Sequence, residues 1–285
     1  MNTLVKKMVL GPVKTEAKKP PNPIVLDLKS LTAIVGVIAL AMPLVLYFGA
    51  RIIGYCNQSS ISHYYFLPFF GSVFVGSMGF IGVFLLCYKG HTKLDRIFAL
   101  IAGVAAFLVA IFPTAKDGCA KTDFLGRAFV EWSATASPNP TVFYDIVLLD
   151  LSFPDGGLTS QHVHVAAAAV LFLILGYFAF WSFRRDNGEG VAITATGTPV
   201  VSAQKARRNF VYLICGIVIF VCIAILLWLA LTHDTSDGVT NILPPVFAYE
   251  MVALFAFGIS WIIKGRLVPY FNDPGTNVKG QGRAA

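Results

Sequence analysis

Six long apolar stretches, at about residues 31–49, 64–87, 97–113, 161–182, 209–231 and 244–263, decide the solvent in which this chain folds. A hydrocarbon core about 30 Å thick takes about 20 helical residues, and inside it every backbone N–H and C=O must be satisfied within the protein. Each stretch is of the order of that length, so the chain reads as an all-α membrane protein, a bundle of six transmembrane helices. With 56% hydrophobic and 13% charged residues and a mean hydropathy of +0.71, the composition excludes a soluble domain, which carries about 25% charged residues.

The polar segments divide the chain around that domain. Residues 1–29 hold six lysines together with Pro12, Pro20, Pro21 and Pro23 and read as a disordered basic tail; residues 30–266 form the six-helix domain and 267–285 a second tail. No apolar core precedes a small-residue cleavage site, so the expectation is an uncleaved first span acting as signal anchor. If the N-terminus lies inside, 18 of the 22 Lys and Arg residues fall on the inner face, leaving Arg51, Lys116, Lys121 and Arg127 outside. The positive-inside rule then predicts that both termini are cytoplasmic. The net charge of +7 follows from this topology and from attraction to anionic headgroups. No nucleic-acid recognition module accompanies it, so a nucleic-acid partner is excluded.

Two connections outside are short, and the third, residues 114–160, is far longer than an ordinary connector. Its aromatic residues, prolines and the apolar run 146–151 predict a cap on the outer face, with an interfacial helix near 125–132 and a short strand or helix near 142–151. The inner segment 186–205 is rich in Gly, Thr and Ser and reads as a flexible linker. Cys56 and Cys119 both fall outside, where a disulfide between them is permitted; Cys87, Cys215 and Cys222 fall within helices as small apolar residues. Gly71, Gly76, Gly79 and Gly82 predict close helix approach along the second span. Trp181, Trp228 and Trp261, near span ends, read as an aromatic belt.

The chemistry-bearing residues gather at the outer boundary. Ser59-Ser60-Ile61-Ser62-His63-Tyr64-Tyr65 opens the second span, Thr159-Ser160-Gln161-His162-Val163-His164 opens the fourth, and Glu250 lies about two turns into the sixth, the only acidic residue read within any span. An ionisable group in the hydrocarbon costs about 2.5–3.5 kcal/mol on insertion scales and therefore faces the bundle interior. His162 and His164, two apart on a helix, point about 200° from each other, so the expectation is His162 at the interface and His164 turned inward. Ser62, His63, Tyr64, Tyr65, His162, His164 and Glu250 are thus the candidate ligand-binding residues. His164, Glu250 and His63 are the candidate catalytic ones. A zinc site would draw on His63, His164 and an acidic partner, Asp155 or Glu250.

The stretches Ser60-Ile61-Ser62-His63-Tyr64-Tyr65, Val73-Phe74-Val75-Gly76, Gly82-Val83-Phe84-Leu85-Leu86-Cys87-Tyr88-Lys89-Gly90 and Ala256-Phe257-Gly258-Ile259-Ser260-Trp261-Ile262-Ile263-Lys264-Gly265 resemble a group of bacterial multi-pass membrane proteins of unknown function. The resemblance covers most of residues 59–265. It implies a six-helix bundle in the bacterial cytoplasmic (inner) membrane and supplies no activity. A more distant likeness is to zinc-dependent membrane hydrolases of the alkaline-ceramidase type, whose late His-x-x-x-His pair and seventh helix this chain lacks.

Three readings follow. The first is a membrane protein with an outward-facing polar pocket that binds a lipid or small ligand, or serves as a subunit of a membrane complex, its homo-oligomeric state open. The second is a zinc-dependent intramembrane lipid hydrolase. The third is a proton- or cation-coupled transporter using Glu250.

Overall fold

The computed structural model describes residues 27–112, 114, 147–149, 158–185, 191–193, 199–232 and 243–273. Among them, six helices are long and apolar enough to cross a membrane. They are α1 (Leu28–Ile52), α2 (Pro68–Cys87), α3 (Lys93–Ile111), α4 (Ser160–Phe180), α5 (Ala203–Thr232) and α6 (Pro245–Lys264). Two small antiparallel pairs accompany them: β1 (Val147–Leu149) with β2 (Leu158–Thr159), and β3 (Val191–Ile193) with β4 (Pro199–Val201).

Local chemistry sets the helix ends. α1 starts where the Asp27 carboxylate accepts from the Lys29 N–H at 3.0 Å and the Ser30 hydroxyl at 2.8 Å. Pro43 removes the donor that would reach back one turn, and a wider π-type stretch, Val45–Gly49, follows before the last turn Ala50–Ile52. α2 and α6 each begin with proline at the first helical position, Pro68 and Pro245, where the missing N–H costs nothing. The residue before proline is pushed out of the helical region, so Leu67 is extended (φ −88°, ψ 128°). The second span therefore starts four residues later than expected, and Ser62–Phe66 forms a separate 3-10 turn. Tyr64, Tyr65, Phe66 and Leu67 in and after that turn are all buried, closing one end of the bundle.

From α2 to α6 each helix packs against its neighbours in sequence, while α1 packs chiefly on α6 and only lightly on α2, so the six form a ring. Ring closure depends on two glycines. A Cβ on Gly36 would lie 2.6 Å from the Gly258 carbonyl oxygen, and one on Gly258 would lie 2.7 Å from that of Gly36. The two backbones touch, as small residues permit in helix pairs without a hydrophobic drive to associate. α2 and α3 meet similarly at Gly82 and Gly103. Gly76 and Gly79 meet nothing within 4 Å, so the close approach expected there is absent.

The outer surface carries Val83, Val104, Phe210, Val221 and Trp228 in the open, the inverse of a water-soluble protein. Trp181 and Trp228 are exposed, but Trp261 is fully buried and not part of a belt. It sits among Phe84, Tyr88, Phe183 and Phe257, ring centroids 5.1–5.5 Å away, and this aromatic cluster closes the end opposite the 3-10 turn.

Other expectations shift. Segment 186–205, expected to be a linker, contains the β3–β4 hairpin, and α5 begins at Ala203, so Lys205, Arg207 and Arg208 lie on the helix itself. Of the short strand or helix expected near 142–151, Val147–Leu149 is a strand; the helix expected near 125–132, like residues 1–26 and 274–285, lies outside the described residues. Cys56 is disulfide-bonded while Cys87, Cys215 and Cys222 are free; its expected partner Cys119 lies outside the described residues.

Gly36→Val is expected to lower stability by about 3 kcal/mol, the upper end for overpacking because its neighbour is backbone, whereas Gly76→Ala should stay within about 0.5 kcal/mol of the wild type. The fraction of detergent-solubilised protein that remains monodisperse after stepwise heating separates the two.

Candidate functional site

The polar residues at the 3-10 end meet as one chain of hydrogen bonds. Glu250, one and a half turns into α6, receives the Ser60 hydroxyl on both carboxylate oxygens, at 3.1 and 3.0 Å, and the Ile61 N–H at 2.6 Å. The loop answers in kind, since the Phe247 N–H in the first turn of α6 donates to the Ser59 carbonyl at 3.0 Å. The helix start and the loop therefore satisfy each other's otherwise orphaned backbone groups. Ser60 Oγ also accepts from the Ser62 N–H at 3.1 Å.

Ser62 Oγ in turn lies 2.8 Å from His164 Nε2, and His164 Nδ1 lies 2.7 Å from the Phe112 carbonyl oxygen. A carbonyl only accepts, so Nδ1 carries the hydrogen; in the neutral ring Nε2 then accepts from the Ser62 hydroxyl. His164 is buried and His162 exposed, in keeping with their two-residue offset. The network joins the end of α3, the start of α4, the loop and α6. His63 stands beside it, its Nδ1 2.8 Å from Ser59 Oγ. Tyr64 and Tyr65 are buried in the plug, and burial pushes the Tyr64 hydroxyl up to about 12, keeping it a neutral phenol.

Beneath Ser62 and Glu250 lies a cavity of about 40 Å³. Its wall comes from α1 (Met42), α2 (Phe74, Met78, Ile81), α3 (Val109), α4 (Ala168, Leu171, Phe172, Leu175) and α6 (Leu254, Phe257). Only α5 contributes nothing. The cavity is therefore apolar along its length with a hydroxyl and a carboxylate at one end, rather than the generally polar pocket expected. It reaches α1 and α3 as well as the second, fourth and sixth helices.

No group of three His, Cys, Asp or Glu side chains able to hold a metal ion exists among the described residues, Asp155 lying outside them. Both His164 nitrogens and both Glu250 oxygens already have hydrogen-bond partners.

A second polar centre occupies the opposite end of the bundle. Asp95, in the first turn of α3 and fully buried, accepts from the His91 and Thr92 N–H groups at 3.1 and 3.0 Å, while Thr92 Oγ1 accepts from the Asp95 N–H at 3.1 Å. It also binds Tyr177 Oη at 3.0 Å and Arg185 at 3.1 Å, and Arg185 reaches Tyr177 Oη at 2.7 Å. Placing the third span at 97–113 hid this acid. The signal was Thr92-x-x-Asp95 ahead of an apolar run, a capping box. Nearby, Asp273 accepts from Ser202 at 2.6 Å and pairs with Arg208 at 3.0 Å and Arg266 at 3.4 Å, fastening the segment after α6 to α5.

Comparison with family models, with curated proteins and with solved structures finds no match to this chain.

Truncating Glu250 to Ala strands the Ile61 N–H and the Ser60 hydroxyl, at about 1–3 kcal/mol; Glu250→Gln keeps one acceptor and should lose less. Hydrogen exchange at residues 59–63 is expected to rise in the order wild type, Gln, Ala. At Asp273, burial disfavours the charge, but the Ser202 and Arg208 hydrogen bonds and the two guanidinium charges outweigh it and hold the carboxyl below its ordinary 3.8. The stabilisation is complete above that ordinary value and disappears as pH falls through the lower folded value. Protection of residues 266–273 from proteolysis by an acid protease should fall across that range in the wild type and be low throughout in Asp273→Ala.

Proposed function

We propose that this chain is a multi-pass protein of a bacterial cytoplasmic membrane, both termini inside and residues 114–160 outside, that binds a small amphipathic ligand between its helices. The observation that carries this reading is the cavity whose wall is apolar and whose one end presents Ser62 and Glu250. Such a shape suits the end of a hydrocarbon chain bearing a hydrogen-bonding group. Apolar contact supplies affinity, and one or two placed polar groups supply orientation. The volume suits a chain end rather than a whole lipid. The 18 to 4 division of Lys and Arg supports the orientation.

Titration of the purified protein in detergent with a monoacylglycerol, followed by thermal unfolding, tests the binding. A saturable stabilisation is expected. Ala168→Phe, which fills the cavity from α4, should abolish it, and Glu250→Gln should weaken it by about tenfold, or about 1.4 kcal/mol. Absence of saturable stabilisation in the wild type, or its persistence in Ala168→Phe, would refute the reading.

A further inference from the structure

Beside the end of α3 and the start of α4, a serine and a histidine stand as a nucleophile and its base would. Ser62 Oγ lies 2.8 Å from His164 Nε2, within the reach over which a general base takes a proton. The Phe112 carbonyl oxygen, 2.7 Å from Nδ1, fixes the hydrogen on that side of the neutral ring, so the Nε2 lone pair faces the hydroxyl. In serine–histidine–aspartate sites a carboxylate orients the ring and supports the imidazolium that forms. Here a backbone carbonyl takes that place.

Two further observations separate this pair from an ordinary internal hydrogen bond. Ser62 lines the apolar cavity and is itself only half-buried, so it borders both the space for an acyl chain and the end of the bundle. Its backbone is also clamped. The Ser62 N–H donates to Ser60 Oγ at 3.1 Å, and the Ser60 hydroxyl donates to Glu250. Ser60 and Glu250 are therefore positioning residues: α6 sets the place of the nucleophile, while α3 and α4 set the place of the base. His164 is buried, where an apolar side chain would pack without the cost of taking a polar ring out of water.

We propose that Ser62 and His164 hydrolyse the ester of a monoacylated ligand held in the cavity, an inference that rests on the binding reading above. The Ser62 hydroxyl proton moves to His164 Nε2 as Oγ bonds to the ester carbonyl carbon. The bond from that carbon to the alcohol oxygen then breaks, and the alcohol leaves with the proton from His164. Water next adds to the acyl carbon and gives a proton to His164; the bond from Oγ to the acyl group breaks, and the proton returns to Ser62. The sum is ester plus water to carboxylic acid plus alcohol. The N–H groups of Ile61, Ser62, His63 and Tyr64 are engaged by Glu250, Ser60 Oγ and the carbonyls of Ser60 and Ile61. These four therefore do not stabilise the oxyanion, and turnover is expected to be slow, since one such donor supplies a factor of about 10²–10³.

The test incubates the full-length protein in a non-ionic detergent with 1-octanoylglycerol and follows release of octanoic acid, with thermal unfolding of the same samples. Ser62→Ala and His164→Gln should each lower release by about a hundredfold or more. Ser62→Ala should still be stabilised saturably by 1-octanoylglycerol, with affinity weakened by no more than about tenfold. A hydrogen bond that only fastened the loop would change the unfolding midpoint and leave no release to lose. A small dialkyl fluorophosphate supplies a reading independent of turnover: Ser62 Oγ bonds to phosphorus, fluoride leaves, and mass spectrometry finds the adduct. The adduct is expected on Ser62 in the wild type, not in His164→Gln, and not on Ser72, an exposed serine of α2 outside the cavity. Stabilisation by 1-octanoylglycerol with neither release nor an adduct on Ser62, or release unchanged in Ser62→Ala, overturns this proposal and leaves the binding reading standing. Absence of saturable stabilisation overturns the binding reading and this proposal with it.

Discussion

Backbone contact between α1 and α6 at Gly36 and Gly258 is the constraint on which the rest of the bundle depends. Helices in a bilayer have little hydrophobic reason to associate, because lipid tails are as apolar as leucine. What holds them is close packing, and packing is closest where no Cβ intervenes. Because the first and last helices meet there, the ring closes around the cavity lined by α1, α2, α3, α4 and α6. α5 stands outside this enclosure, the least buried of the six. Its role in the described residues is at the other end, where Lys205 and Arg208 project inward and Asp273 is fastened.

The two ends use different chemistry to solve the same problem. At the 3-10 end, neutral hydroxyls, backbone N–H groups and one imidazole satisfy one another around a single carboxylate. At the other end, carboxylates and guanidinium groups pair outright. Between them lies an apolar interior capped by the Trp261 aromatic cluster, so the Glu250 network and the Asp95 network share no hydrogen bond in the described residues. Phe257 touches both regions, lining the cavity and packing on Trp261.

The number of helices and their approximate places were legible because hydrophobic length in a bilayer is a coarse and strong signal. The inward turn of His164 was legible from helical geometry. The errors have physical causes. A hydropathy run does not register that Pro68 forces the residue before it out of the helix, so the 3-10 turn was read as helix. Polar residues at helix ends hid Asp95 and the first turns of α5, though Thr92-x-x-Asp95 was there to be read. Gly76 and Gly79 look like Gly82 in sequence, and only the rotation of α2 decides which one meets a neighbour. Trp261 was placed at an interface by its nearness to a helix end, whereas the aromatics around it come from three parts of the chain. The apolar wall of the cavity is likewise assembled from distant segments, which no local pattern reveals.

His164 has one further consequence. Phe112 is the residue after α3, and His164 lies in the first turns of α4, so the contact between them joins the two ends of the longest connection in the chain. Val147 pairs with Thr159 close by, adding a second tie at the α4 side. A connection stapled at its base transmits little of its own length to the helices that flank it, because the entropy of closing a loop grows only logarithmically with the number of residues. A change in the number of residues between Phe112 and α4 therefore adds little closure entropy so long as the Phe112–His164 contact holds.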